Sequence, residues 1–77
     1  MRSVKAEHVD TLIHGVRAFR IALNCELASQ WGLMATQTVD VDRGMEIVAA
    51  YEHESGTVLT DVRQLIDQVK DGRKRGM

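Results

Sequence analysis

Residues 39–59, VDVDRGMEIVAAYEHESGTVL, decide the fold, because two periodicities compete within them. In one, Val39 and Val41, then Met45, Ile47, Ala49 and Tyr51, alternate with Thr38, Asp40, Asp42, Glu46 and Glu52. Asp42-Arg43-Gly44 then serves as a three-residue hairpin loop. In the other, Met45 to Glu54 is a run of good helix formers, and Val41, Ile47, Val48 and Tyr51 share one face at about 100° per residue. That face extends downstream through Val58, Leu59, Val62, Leu65, Ile66 and Val69, without losing phase at Gly56. The helical reading predicts one helix over about residues 41 to 71, N-capped by Asp40 or Asp42, with 35–39 as a short connection. Gly56 costs about 1 kcal/mol relative to Ala, so a local kink or weak point is expected there.

Upstream, Val9, Leu12, Ile13, Val16, Phe19, Leu23, Leu27, Trp31 and Met34 fall inside an arc of roughly 120°. They predict a first helix over about residues 4 to 34, with Ser3 as its cap and Gly32 as its stop. Two polar residues break the arc. Arg20 either snorkels to the rim or pairs with a carboxylate, Glu52 or Asp61, and Gln30 projects beside Leu12. Trp31, the one tryptophan, is read as packing on the interhelical turn or as an exposed anchor for a partner. Downstream, residues 58 to 71 keep helical spacing, Thr57 or Thr60 can cap them, and Asp71-Gly72 closes the run. Residues 72–77 read as a flexible basic tail. The preferred fold is therefore all-α, an antiparallel helical hairpin in a single small domain over 1–77. An α+β arrangement, α-β-β-α with a small central hairpin, is the alternative.

A core drawn from 77 residues supplies about 3–5 kcal/mol of net stability. Two helices of about 30 residues with 120° apolar arcs cannot hide those arcs against one another alone. A homodimer follows, most simply a four-helix bundle. Its interface residues, to itself or to a partner, are expected to be Val16, Phe19, Arg20, Leu23, Leu27, Trp31, Tyr51, Val58, Val62, Leu65 and Ile66.

Ten basic against eleven acidic residues leave a net charge of −1, so any electrostatic role is local. In an antiparallel hairpin the two chain ends meet. Arg2 and Lys5 then join Lys70, Arg73, Lys74 and Arg75 in a basic pole that holds six of the ten cations and offers phosphate contacts. No aromatic residues interleave with these cations for base stacking.

Chemistry is thinly represented. His8, His14 and His53 lack ligand spacing, so no metal is expected. The lone Cys25 lies near no predicted His or basic pocket and reads as a reduced, intracellular thiol. The six glycines are isolated, so no phosphate loop is present and no cofactor is expected. The N-terminal octet lacks the apolar stretch of a signal peptide, and no apolar run is long enough for a membrane span, which points to a cytoplasmic protein. The sequence is read as non-enzymatic: a small helical protein-binding module, a regulator, adaptor or inhibitor of an unidentified partner protein. A nucleic-acid-associated protein using the basic pole is the alternative, and a structural assembly subunit such as a virion component a third.

Overall fold

A computed structural model describes the backbone of residues 2–32 and 38–76, and the side chains of residues 8–32 and 38–74. It contains three helices: α1 (Arg2–Gln30), α2 (Val41–Ser55) and α3 (Thr60–Gly76). The expected cap Ser3 and the arc residue Met34 lie outside the residues whose side chains are described, as do residues 35–37 of the connection expected over 35–39.

No described residue is in a strand, and the contest within residues 39–59 goes to the helix. Asp40 has extended backbone (φ −81°, ψ 94°), and its Oδ1 accepts the Arg43 N–H at 3.0 Å, satisfying one of the donors that a helix start leaves open. Asp42-Arg43-Gly44, the hairpin loop of the strand reading, is the first turn of α2. Gly44 is there for space: it is buried against the Phe19 ring, and a Cβ at this position would overlap that ring.

The continuous second helix does not form. Gly56 adopts a left-handed conformation (φ 71°), its N–H donates to the Glu52 carbonyl at 2.9 Å, and α2 ends. This is a C-cap that glycine alone enters without strain. Residues 56–59 are not helical, and the chain reverses through them.

The contacts fix the directions. Along α1, His8 meets Glu54, Gly15 meets Ile47, Phe19 meets Gly44 and Glu26 meets Val39, so α2 runs antiparallel to α1. Arg20 meets Asp61, whereas Gln30 meets Val69 and Gly72, so α3 runs parallel to α1. The expected two-arm hairpin is thus corrected to an up-down-up arrangement of three helices. The common phase across Gly56 has a simple origin: α2 and α3 each present their apolar stripe to the same helix. Both hold to α1 far more than to each other. The 29 residues of α1 span about 43 Å and account for most of the long dimension of the 47 × 19 × 16 Å molecule.

Val16, Phe19, Leu23 and Leu27 of α1 meet Val41 and Val48 of α2 and Val62, Ile66 and Val69 of α3 in one core, and Leu12 is buried further along α1. Leu23, Val48, Val62 and Val69 are fully enclosed. The helix of residues 60–76 also runs past its expected end at Asp71-Gly72. Gly72 sits inside α3 because the Gln30 side chain fills the space that a Cβ would take.

Candidate functional site

The reversal at Gly56 redistributes the residues expected at an interface. Val16, Phe19, Leu23, Leu27, Val62 and Ile66 are buried in the chain's own core, and Tyr51 and Leu65 pack partly buried against it. The arcs that called for a second copy are therefore closed within one chain. Arg20 is half-buried, and its Nη2 reaches Asp61 Oδ2 at 2.9 Å, joining α1 to the first turn of α3. Trp31 and Val58 stand free of the core, at 72% and 67% exposure.

Two polar clasps hold the helices, and neither was evident in the sequence. In the first, Glu26 of α1 is buried. Its Oε1 accepts the Val39 N–H at 2.8 Å, and its Oε2 accepts from Arg73 Nε at 3.1 Å and from Gln30 Nε2 at 3.4 Å. Arg73 also donates through Nη2 to the Val39 carbonyl at 2.8 Å, and Gln30 Nε2 donates to the Val69 carbonyl at 3.3 Å. One carboxylate thus ties α1, the entry to α2 and the end of α3 together. The Arg73 hydrogen bond, reinforced by the Val39 N–H, holds the Glu26 carboxyl below its usual range against the opposing pull of burial. The sequence does carry a faint signal, since Glu26 projects about 20° from Phe19 on the edge of the apolar arc. Nothing in it points to Arg73 as the partner.

The second clasp closes the turn between α2 and α3. Glu52 accepts from Arg63 Nη2 and, at 3.0 Å, from Arg63 Nε, and its Oε2 also accepts the Leu59 N–H at 2.8 Å. These bonds, Arg63 first and Leu59 second, pull the Glu52 carboxyl down to about 2, and the same pairing raises Arg63. Bidentate geometry of this kind is specific to arginine.

The expected basic pole is divided. Arg2 and Lys5 belong to the opening turns of α1, but the end of α3 lies beside the other end of α1, at Gln30. Arg73 is engaged by Glu26 and Val39, while Lys70 and Lys74 are exposed. The side chains of Arg2, Lys5 and Arg75 lie outside the described residues. A six-cation cluster therefore does not assemble, because α3 returns parallel to α1 instead of antiparallel.

What remains is the outward face of α1. Arg17, Ile21, Asn24 and Ala28 recur at helical spacing about 120° round α1 from the core stripe, and Trp31 follows in the turn beyond the helix; Ile21 is 63% exposed, Arg17 and Asn24 are exposed, and Ala28 is half-buried. Between Ala18 and Gly32 the only charged residues are Arg20 and Glu26, and both are paired within the chain. Beyond Arg17 this face is free of unpaired charge, and exposed Ile21 on it, with exposed Trp31 just past the helix end, is the composition of an interaction surface.

Other features point elsewhere than chemistry. Among the described residues, no three His, Cys, Asp or Glu side chains gather as a metal site requires, and no helix is long and apolar enough to cross a membrane. A solvent-open groove between α2 and α3, lined by Met45, Arg63, Ile66, Asp67 and Lys70, holds about 180 Å³, below the roughly 300–1,000 Å³ of ligand pockets. Comparison with known proteins adds no identity: no family model matches the sequence, and neither characterised proteins nor solved structures give a match.

Proposed function

We propose that this chain is a small, non-enzymatic helical binding module, a regulator, adaptor or inhibitor of a partner protein, that works as a homo-oligomer. The exposed face of α1 around Ile21 carries this reading. A chain that closes its own core yet leaves Ile21 of α1 and Trp31 of the turn after it in water has a surface suited to desolvation by another protein. The non-enzymatic part rests on the described side chains, whose strongest polar groups tie helices together and do not converge on a cavity. Nucleic-acid binding has less support, since the cations expected to act together are split between the two ends of α1. Because each copy closes its apolar arcs within three helices, the dimer envisaged is a pair of three-helix units in place of a four-helix bundle.

Light scattering across a concentration series tests the reading. The expected mass rises from the 8.6 kDa of one chain towards about twice that value at micromolar concentrations and above. A mass fixed at one chain throughout would overturn it.

A further inference from the structure

Resting on that reading, we infer that the homo-oligomer forms by exchange of α3: the turn at 56–59 straightens, α2 and α3 become one helix, and α3 docks on α1 of a second copy. The surface it takes there is the one it occupies within its own chain, so the fit is already described. Val62, Ile66 and Val69 enter the core. Gln30 donates to the Val69 carbonyl and fills the space beside Gly72, and Arg73 reaches Glu26 and the Val39 carbonyl. The Glu52 clasp aside, α3 holds to α1 far more than to α2. Exchange therefore re-forms these contacts between chains unchanged, which is why swapping an element is a low-cost route to a dimer.

The hinge is short, and the helices on its two sides are in phase. Projected as one helix, Val41, Val48, Leu59, Val62, Ile66 and Val69 fall within about 80° at 100° per residue. Straightened, residues 41–76 span about 54 Å with one apolar side, which lays its α2 half on one α1 and its α3 half on the other. The directions agree with a two-fold axis. Since α2 runs antiparallel to its own α1, and α3 runs parallel to the α1 it packs on, a straight helix meets two α1 helices that run opposite ways. The closed turn is held by the left-handed Gly56 (φ 71°) and by Glu52, which accepts from the Leu59 N–H and from Arg63. Opening exchanges these bonds for helical ones and joins two chains, so closed monomers prevail at low concentration and exchanged dimers at high.

Mixing tests the exchange. Isotope-labelled and unlabelled chains are unfolded together, refolded, and raised to concentrations at which light scattering shows the dimer. An isotope-filtered nuclear Overhauser contact should then link the Gln30 side-chain amide of one chain to the Gly72 α-protons of the other. Gly56→Ala strains the left-handed cap and favours helix through the hinge, so it should tighten dimerisation about tenfold or more. Val58→Pro breaks the straight helix at an exposed position, while the N–H donors that bond within the closed turn, Gly56, Thr57 and Leu59, are kept. It should weaken dimerisation about tenfold or more. Cooperative melts verify that each variant folds. A dimer without the cross-chain contact, or one indifferent to both substitutions, overturns the exchange through a straightened hinge while the homo-oligomer reading stands. A parent chain that stays monomeric at every concentration overturns both.

Discussion

The two faces of α1 have opposite fates. Leu12, Val16, Phe19, Leu23 and Leu27 form a continuous apolar stripe, all of it buried, and from Val16 to Leu27 it packs in one core with α2 and α3. Arg17, Ile21 and Asn24, with half-buried Ala28 and with Trp31 in the turn beyond, form a weaker stripe about 120° round the helix that the chain leaves largely in water. Strength of hydrophobic pattern thus marks where the chain folds upon itself, because a small domain spends its most apolar surface on its own core. The surface left for partners is the sparser stripe, recognised by the size of two exposed side chains, Ile21 and Trp31.

Substitutions can break or sharpen this contrast. On the inner face, Leu23→Ala should cost about 2–5 kcal/mol in denaturant melts, through lost transfer energy and an unfilled cavity at a fully enclosed position. On the outer face, Ile21→Ala should stay within about 0.5 kcal/mol of the parent. Equal costs at the two sites would erase the distinction. Arg73→Ala should cost about 2–3 kcal/mol, since it leaves the buried Glu26 carboxylate short of its cation. The neighbouring Lys74→Ala, at an exposed residue, should change chemical stability by less than about 0.5 kcal/mol. The end of α3 would then be a structural strap and not merely a solvated basic segment. Gly56→Ala should cost about 1–2 kcal/mol by forcing a side chain into left-handed backbone at the turn that closes the inner face.

The clasps also set the response to acid. Glu26 and Glu52 both have folded-state carboxyl pKa values below the ordinary 4.5, so the fold favours their ionised forms. Their contribution is fully present above about pH 4.5 and is lost as the pH falls, for Glu52 towards about 2. Thermal melts from pH 7 down to 2 should show the midpoint falling through that window. Glu52→Gln should flatten the lower part of the profile, and an unchanged profile would remove the second clasp from the account.

Much of the fold was legible. The apolar arc of α1, the helical preference of Met45 to Glu54, the Asp40 cap and the weakness at Gly56 all follow from local chemistry, which the sequence states directly. What the sequence concealed was the consequence of Gly56. A bend and a full reversal leave the same hydrophobic phase when both arms pack on one helix, so periodicity alone does not separate them. Gly72 was misread as a helix stop, and the role of Gly44 within its helix was missed, for a related reason: each yields its Cβ space to a side chain of α1, a need visible only once the helices are in contact. Arg20 was legible in part, since Asp61 was one of its two expected partners. The clasps of Glu26 and Glu52 depend on residues 47 and 11 positions away, and pairings of that kind are set by topology. With the topology missed, the interface was assigned to the strong stripe.

The central claim is that the chain turns back at Gly56 and brings α3 alongside the carboxyl half of α1. Nuclear Overhauser contacts in the native protein test it without any substitution. The account predicts a direct contact between the Gln30 side-chain amide and the Gly72 α-protons, joining the end of α1 to α3. Contacts linking Gly72 to the opening turns of α1 instead, with none to Gln30, would restore the two-arm hairpin and contradict the fold described.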